Sequence, residues 1–167
     1  MAKTSYAIAL GSNRRHGRHG GPGGVVIAAI DALRELGEIE VVSTITATPA
    51  LGPAGRSFAN AVALFSTDLL PDALLDAVKA IERTFGRRGG RRWGPRVLDL
   101  DIILWSEGLW GGAPVIPHPA FRSRLFVLAP LNEVAPDWRD PLSGLTVRQL
   151  LHRLARPAPV DPDGPRS

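Results

Sequence analysis

The chain has 167 residues, of which 44% are hydrophobic and 22% are charged, and its formal net charge is +4. This length and composition predict one soluble globular domain that is large enough for a hydrophobic core. The absence of cysteine excludes disulfides and thiolate metal sites and fits a cytoplasmic location, and no stretch approaches the ~20 apolar residues of a membrane span. The basic charge favours an anionic partner, which is either a nucleotide or a nucleic acid.

The first half of the chain predicts two strands separated by a helix. Residues 6–10 form a short apolar run that ends at Gly11, and residues 25–36 repeat apolar side chains at helical spacing up to Gly37. Residues 39–48 are dense in β-branched side chains, which is typical of a strand. Alternation along this strand predicts one face formed by Ile39, Val41, Ser43 and Ile45.

The second half of the chain predicts a strand, a helix and a strand, followed by further helices. Residues 58–65 are typical of a strand, with one face formed by Phe58, Asn60, Val62 and Leu64. Pro71 suits the first turn of a helix that ends at Gly86. Its apolar face is predicted from the helical spacing of Leu74, Val78, Ile81 and Phe85. The next strand carries two aspartates. Beyond it we expect two short helical stretches within residues 125–133 and a last helix over residues 147–154.

The element order β-α-β-β-α-β predicts an α+β fold over residues 1–156, which we expect to form a single domain. Short connections and two helices favour a ferredoxin-like βαββαβ sandwich with an extra C-terminal strand and helices. In that arrangement both helices cover one face of an antiparallel sheet, and the other face is free for a ligand. Residues 157–167 are rich in Pro and Asp, and we expect them to be a disordered tail.

Residues 92–103 contain the charged side chains with the clearest chemical implication. Because successive side chains of a strand point to opposite faces, Asp99 and Asp101 are predicted on one face. The opposite, apolar face then consists of Leu98, Leu100, Ile102 and Leu104. Two neighbouring carboxylates suit a hard cation such as Mg²⁺, which leaves coordination positions for substrate phosphates. The alternative is a solvated strand face without a metal.

Basic side chains surround this pair of aspartates in the sequence. Arg92 and Arg96 suit phosphate oxygens, since a guanidinium binds anionic oxygens bidentately. Both arginines lie in a glycine-rich stretch over residues 86–96. This loop is either a lid over a substrate or a solvated connection. His118, between two prolines, is either structural or a phosphate contact. Together these residues indicate a metal beside an oligophosphate.

Other polar and aromatic side chains leave more than one interpretation. The amide of Asn60 offers a donor and an acceptor together, which suits the edge of a heterocycle. On their own, Phe58 and Phe126 are expected in the core. His16 and His19 lack partner ligands at metal spacing, so we expect them to be exposed to solvent. The glycine-rich stretch after the first strand has neither the P-loop ending nor the dinucleotide-binding motif, which excludes both of those classes.

With these residues in place, the chain closely resembles the 6-hydroxymethyl-7,8-dihydropterin pyrophosphokinase family. Residues 92–103 are similar to the signature of that family without a gap, and the other matches follow in order along most of the chain. They are Ala9-Leu10-Gly11-Ser12-Asn13, Thr48-Pro49-Ala50-Leu51-Gly52-Pro53, Phe58-Ala59-Asn60-Ala61-Val62, Ile81-Glu82, Pro117-His118-Pro119, Arg124-Leu125-Phe126 and Ala129-Pro130-Leu131. The loop after Asn13 and the tail beyond about Leu154 fall outside the resemblance.

The resemblance implies a Mg²⁺-dependent diphosphokinase of folate biosynthesis with a ferredoxin-like fold. Such an enzyme transfers the β,γ-pyrophosphoryl group of ATP, its co-substrate, to the hydroxymethyl oxygen of the pterin and releases AMP. It implies two Mg²⁺ ions held by Asp99 and Asp101, and catalytic roles for Arg87 and Arg92. The implied ATP contacts are Glu82, Arg87, Arg92, Trp93, Arg96, Ile102, His118 and Arg124. The implied pterin contacts are backbone groups of Thr48, Ala50 and Leu51, the amide of Asn60, and the rings of Phe58 and Phe126.

Some features depart from the family or leave alternatives open. The loop over residues 87–92 is one residue shorter than in better-known members, so either Arg88 or Arg91 takes the role of the second loop arginine. Residues 14–24 form a basic, glycine-rich insertion of unassigned role. We expect a monomer that acts on small molecules, with neither nucleic acid nor membrane as a partner. The alternatives are a ferredoxin-like RNA-binding module that uses its open sheet face, and an inactive regulatory relative.

Overall fold

The computed structural model describes residues 2–13, 19–48, 58–86 and 97–156. Their secondary structure elements, in order, are β1 (Thr4–Ser12), α1 (Pro22–Leu33), β2 (Glu38–Val42), β3 (Thr46–Thr48), β4 (Phe58–Thr67), α2 (Pro71–Gly86), β5 (Asp99–Trp105), a 3-10 turn (Phe121–Ser123), α3 (Leu125–Val134) and α4 (Val147–Ala155). The predicted mixture of strands and helices is confirmed. None of the described helices has the length and apolar character needed to cross a bilayer.

The strands form one antiparallel sheet in the order β2-β4-β1-β5, with β3 also paired to β4. The central pair, β1 and β4, runs in register from Thr4↔Thr67 to Ser12↔Ala59. β4 is buried at every position from Ala61 onward. A strand that is apolar on both faces needs cover on both sides of the sheet, and helices provide it.

The helices α1 and α2 cover one face of the sheet, as predicted. Leu74, Val78 and Phe85 recur at helical spacing along α2 and are buried, because this spacing directs them to one side of the helix. They enter a core cluster with Leu98, Leu100 and Ile102, which are at most 4% exposed. The apolar face predicted for these three residues is therefore confirmed.

The opposite face of the sheet is partly covered by α3 and α4, which corrects the prediction that it is free for a ligand. Val62 and Leu64 of β4 lie in a second core cluster with Val127 and Leu128 of α3. Exposure rises toward the end of the sheet where β5 begins, and Asp99 there is exposed. The part of this face that is open to a ligand is therefore that end.

The single strand predicted over residues 39–48 is interrupted in the structure. Residues 43–45 separate β2 from β3, although both strands pair with β4. The register of β2 also shifts between Ile39 and Val41, and Val41 is 41% exposed. The predicted alternation fails because a register shift moves the following side chains to the other face.

Leu104 lies on the face opposite to the predicted one, because β5 contains a β-bulge. Ile8 pairs with Ile102 while Ala7 pairs with Leu104, which leaves Ile103 as an extra residue. A bulge of this kind reverses the alternation of side chains beyond it. Ile103 and Leu104 accordingly both enter the second core cluster.

The C-terminal part is more helical than predicted. The two short stretches expected within residues 125–133 form one helix, α3. In place of the expected extra C-terminal strand, the described residues after β5 contain two isolated bridges, Trp110↔Ile116 and Arg139↔Thr146. The tail over residues 157–167 lies outside the described residues.

A buried carboxylate joins the 3-10 turn to the loop before α4. Asp140 is fully buried, and it accepts hydrogen bonds from Nε and Nη2 of Arg122 at 2.6 and 2.7 Å. The Ser143 hydroxyl and the Leu142 N–H also donate to it. The pKa of Asp140 falls to about 2, mainly because of the Arg122 hydrogen bonds and against the effect of its burial.

Candidate active site

Polar side chains meet in one row across the sheet, at the end that the C-terminal helices leave open. Gly11 of β1 pairs with Asn60 of β4 on one side and with Asp99 of β5 on the other. Thr46 of β3 pairs in turn with Asn60. Directly paired residues of antiparallel strands point to the same face, so the side chains of Asp99, Asn60 and Thr46 share one face. The backbones of β4 and β5 are two strand spacings apart, about 10 Å.

Gly11 places no side chain of its own between Asp99 and Asn60. A Cβ at this position would lie 3.1 Å from Oδ1 of Asn60, so any larger residue would require the amide to shift by a few tenths of an ångström. From the sequence, Gly11 is predicted to end a strand, although it stands in one of the segments that resemble the family. Its role depends on the register between three strands, which the sequence does not reveal.

The two residues after Gly11 also belong to this end of the sheet. The buried Ser12 donates its hydroxyl to the Val97 carbonyl at 2.6 Å, which joins the end of β1 to the start of β5. Oδ1 of Asn13 is buried and has no hydrogen-bond partner among the described residues. A buried acceptor of this kind requires a donor from a ligand, from water or from other parts of the chain.

Asp99 and Asp101 lie on one face of β5, as predicted. Asp99 is exposed and Asp101 is half-buried. Asp101 pairs with Ala9, which packs against the second core cluster. Within the described part of the chain, no group of three or more His, Cys, Asp or Glu side chains could hold a metal. Two carboxylates suit Mg²⁺, which commonly keeps water and phosphate oxygens as its other ligands. The donor set therefore fits a metal that arrives with an oligophosphate.

His118 is attached to β5 at the bulge. The main-chain N–H of His118 donates to the Ile103 carbonyl at 3.0 Å, and its ring Nδ1 accepts the main-chain N–H of Ala120 at 3.2 Å. An accepting Nδ1 places the proton of the neutral ring on Nε2, which is then a donor. Burial lowers the pKa of His118, the negative charge of Asp101 opposes this shift, and the positive charge of Arg124 adds to it. The structure thus brings Asp101, His118 and Arg124 together.

Phe58 and Phe126 are 45% and 54% exposed, so the expectation that they lie in the core is wrong. Phe58 begins β4 on the same face as Asn60. Phe126 lies in the first turn of α3, which packs on that face, and the Arg124 guanidinium is 5.8 Å from the centre of its ring. Exposed aromatic rings on the face of the sheet that carries a primary amide suit a flat heterocycle with a hydrogen-bonding edge.

Glu82 of α2 reaches the edge of β5 between the two aspartates. Its Oε2 accepts the Leu100 N–H at 3.1 Å, and its Oε1 lies 3.0 Å from Nζ of Lys79. The side chain is only 12% exposed. Glu82 therefore supports the strand that carries Asp99 and Asp101.

Several residues singled out by the sequence lie outside the described residues, namely His16, Ala50, Leu51, Arg87, Arg88, Arg91, Arg92, Trp93 and Arg96. Thr48 is described through its main chain, which pairs with Phe58. Ile102 is 4% exposed, so its side chain is not available to a ligand. The expectation that His19 is exposed to solvent is wrong, because it is half-buried and its ring lies 5.3 Å from that of Phe85.

The arrangement of the sheet and helices is shared with solved structures. The crystal structure of Plasmodium falciparum HPPK-DHPS wild type with pteroate aligns with a TM-score of 0.66 and 14% identity, over 90% of this chain and 42% of that chain. The crystal structure of Plasmodium falciparum HPPK-DHPS wild type gives the same TM-score and identity, over 90% of this chain and 44% of that chain. At this identity the likeness shows the fold alone.

The sequence identifies the family. Residues 7–136 match 7,8-dihydro-6-hydroxymethylpterin-pyrophosphokinase (HPPK), and the chain belongs to this family. Proteins named 2-amino-4-hydroxy-6-hydroxymethyldihydropteridine pyrophosphokinase are 42% identical over 118 residues in Synechocystis sp., 47% over 102 residues in Pseudomonas aeruginosa and 40% over 119 residues in Methylorubrum extorquens. These matches cover 70%, 60% and 70% of this chain, and 60%, 63% and 70% of the respective relatives. The chain thus spans less than two thirds of the first two relatives.

Proposed function

We propose that the protein transfers the pyrophosphoryl group of ATP to 6-hydroxymethyl-7,8-dihydropterin in folate biosynthesis, giving the pterin diphosphate and AMP. The observation that carries this proposal is the placement of Asp99 and Asn60 on one face, on either side of Gly11. A carboxylate site for metal-bound phosphates is thereby next to an amide that suits the edge of a heterocycle. Membership of the HPPK family supports the assignment.

On the nucleotide side, Asp99 and Asp101 are proposed to hold two Mg²⁺ ions against the phosphates of ATP. The metal supplies neutralisation of phosphate charge when it is bound. The Nε2 donor of His118 and the guanidinium of Arg124 are placed beside this position and suit phosphate oxygens. The full set proposed to contact or support ATP is Glu82, Arg87, Arg92, Trp93, Arg96, Ile102, His118 and Arg124. The buried side chain of Ile102 leaves its main chain as the part that is proposed to contact ATP. Among these, the arginines at 87, 92 and 96 and Trp93 are assigned from the sequence alone.

On the pterin side, the Asn60 amide is proposed to pair with the hydrogen-bonding edge of the ring. Phe58 and Phe126 are proposed to stack on its two faces, since flat rings prefer offset contact with aromatic side chains. Backbone groups of Thr48, Ala50 and Leu51 are proposed to complete the edge. The exposure of both phenylalanines supports this arrangement, because burial of their rings is left to the substrate.

The proposed reaction is an in-line displacement at the β-phosphorus of ATP. The hydroxymethyl oxygen of the pterin forms a bond to the β-phosphorus, the bond from that phosphorus to the α,β-bridging oxygen breaks, and the hydroxyl proton is lost. AMP leaves with the bridging oxygen. Such transfer depends mainly on positioning and charge neutralisation, and a rigid sheet that carries both substrates provides the positioning. Arg87 and Arg92 are proposed to neutralise charge that develops in the transition state.

The wider properties follow the same proposal. The strand order β2-β4-β1-β5 with α1 and α2 on one face supports a ferredoxin-like fold in a single domain over residues 1–156. We propose a cytoplasmic monomer that acts on small molecules. Asp99 and Asp101 project from the open end of the sheet, where they would repel the phosphates of RNA. This placement favours the enzyme over the RNA-binding module.

The products formed from ATP, Mg²⁺ and the dihydropterin test this proposal. We expect AMP and pterin diphosphate to appear in equal amounts, and neither to form when one substrate is omitted. Formation of ADP would indicate a different phosphotransferase. No AMP under metal-replete conditions, together with salt-sensitive binding of RNA in a gel-shift assay, would favour the alternative function.

Replacing Gly11 with alanine is expected to weaken pterin binding about three- to tenfold, because the new Cβ shifts the Asn60 amide and weakens its hydrogen bond to the ring. The affinity for a nonhydrolysable ATP analogue is expected to remain within about twofold of the original. Calorimetry with each ligand measures both values. Gly23→Ala is the matched control, since a Cβ there meets no atom within 4 Å among the described residues outside its own helix backbone. Equal pterin affinity in all three proteins would show that the Asn60 amide does not bind the ring.

A further inference from the structure

The break between β2 and β3 is held in place by side chains. The Ser43 N–H donates to the Val62 carbonyl at 2.9 Å, and the Ser43 hydroxyl accepts the Val62 N–H at 2.9 Å. The hydroxyl thus takes the part of a main-chain carbonyl in the ladder. The chain can leave the sheet at this point without leaving the buried groups of β4 unpaired.

The next residue is attached to α3. Both the N–H and the hydroxyl of Thr44 donate to the same oxygen, Oε1 of Glu133, at 2.8 and 2.7 Å. Hydrogen bonds to a carboxylate are stronger than those between neutral groups, and these two bonds lower the pKa of Glu133. Glu133, which is 89 residues from Thr44 in the sequence, therefore fixes the position of β3, since β3 begins two residues after Thr44.

That strand, β3, forms one side of the proposed pterin site. Thr46 pairs with Asn60, and Thr48 pairs with Phe58, so the backbone of β3 lies directly against the two β4 residues assigned to the ring. The helix that carries Glu133 also carries Phe126 near its first turn. The Glu133 carboxylate thus links α3, which carries the proposed stacking ring of Phe126, to β3, which pairs with the strand that carries Phe58.

We propose that Glu133 is a positioning residue for the pterin site, which holds β3 against β4 and α3 through Thr44. This inference rests on the proposed function of the same site. Glu133 and Thr44 are both exposed, and exposed charge interactions contribute little to global stability. Glu133 therefore acts mainly on the local geometry of β3. Its loss is expected to weaken pterin binding more than ATP binding.

The first test compares ligand affinities in Glu133→Ala and Glu133→Gln. The alanine variant loses both hydrogen bonds, and we expect its affinity for 6-hydroxymethyl-7,8-dihydropterin to fall about five- to tenfold. The affinity for α,β-methylene-ATP with Mg²⁺ is expected to stay within about twofold. The glutamine variant keeps an amide oxygen that can accept both bonds, so its pterin affinity is expected to return most of the way to the original.

Asp137→Ala is the matched control for these variants. Asp137 follows α3 and forms an exposed ion pair with Arg148 at 3.0 Å. Neither member of this ion pair belongs to β3. We expect no change in the affinity for either ligand. Equal loss of both affinities in Glu133→Ala, or a loss that glutamine does not restore, would overturn the positioning role.

Amide hydrogen exchange separates failure of this inference from failure of the proposed function. If the unaltered protein binds no dihydropterin, the proposed function is wrong, but residues 44–48 still report on Glu133. Faster exchange of these amides in Glu133→Ala, with unchanged exchange in β1, would support the control of β3 by Glu133. Unchanged exchange over residues 44–48 would overturn it.

Discussion

Replacing Asp101 or Asp99 with alanine is expected to lower kcat at least about 100-fold, because each variant removes a proposed ligand of the metal at the phosphates. The protein is expected to remain folded. Asp99 is exposed and Asp101 is half-buried, and their apolar neighbours Leu100 and Ile102 keep their places in the core cluster on the other face. The pterin affinity is expected to change little, since Asn60 lies two strands away.

Steady-state kinetics at increasing Mg²⁺ concentration measures this effect. A loss of kcat that persists at saturating ATP distinguishes a catalytic defect from weak binding. Glu107→Ala is the control, because this exposed carboxylate stands in the turn directly after β5. Full activity of either aspartate variant would remove the metal assignment.

Replacing Asp140 with asparagine is expected to destabilise the protein by about 3 kcal/mol, the largest stability effect in the molecule that we predict. Asp140 is fully buried and receives four hydrogen bonds, two of them from Arg122. An asparagine presents an NH₂ group to donors that need acceptors, and it leaves the Arg122 charge without its partner. The midpoint of urea unfolding, at unchanged slope, measures the loss.

The pH dependence of unfolding identifies the charge of Asp140 as the cause. The pKa of Asp140 is about 2 in the folded protein, against an ordinary value of 3.8, so between these pH values the unfolded chain binds the proton more readily. The stabilisation is complete above the unfolded pKa and is lost as pH falls from about 4 to about 2, by about 2 kcal/mol. The asparagine variant is expected to lack this contribution.

Asp137→Asn is the control for both measurements, because it alters an exposed ion pair that contributes little. If Asp140→Asn matches the unaltered protein in urea, the buried pair is not a stabilising contact. If Asp140→Asn and the unaltered protein lose the same free energy of unfolding between pH 4 and pH 2, the charge of Asp140 does not stabilise the fold.

Features that depend on local periodicity were predictable from the sequence. The spacing of Leu74, Val78 and Phe85 predicted the buried side of α2, because these residues follow the helical repeat. The alternation of Asp99 and Asp101 with apolar residues predicted the two faces at the start of β5. Both patterns involve neighbours in sequence, so no knowledge of the partner strands was needed.

Features that depend on pairing between distant segments were not predictable. The bulge at Ile103 arises from the register of β5 against β1, and it changes both the face of Leu104 and the attachment of His118. The cover that α3 provides on the second face depends on where an apolar helix packs, and periodicity does not specify this. The role of Gly11 likewise appears only when its pairs on both sides are known.

Aromatic and polar site residues were ambiguous for a different reason. Phe58 and Phe126 have side chains that are as suitable for a core as for a ligand site, so composition alone favoured the core. Their exposure became meaningful once Asn60 was found on the same face. Glu133 carried no signal of its own, because its partner Thr44 is 89 residues away.

The crystal structure of the protein with Mg²⁺, α,β-methylene-ATP and 6-hydroxymethyl-7,8-dihydropterin tests the central claim most directly. We propose that the row formed by Asp99, Gly11 and Asn60 places the phosphates and the pterin side by side. We expect metal ions bound by Asp99 and Asp101 and bridged to phosphate oxygens, with the pterin edge on the Asn60 amide and its hydroxymethyl group toward the β-phosphorus. Metal ions bound without either aspartate, or a pterin away from Asn60, would contradict the claim.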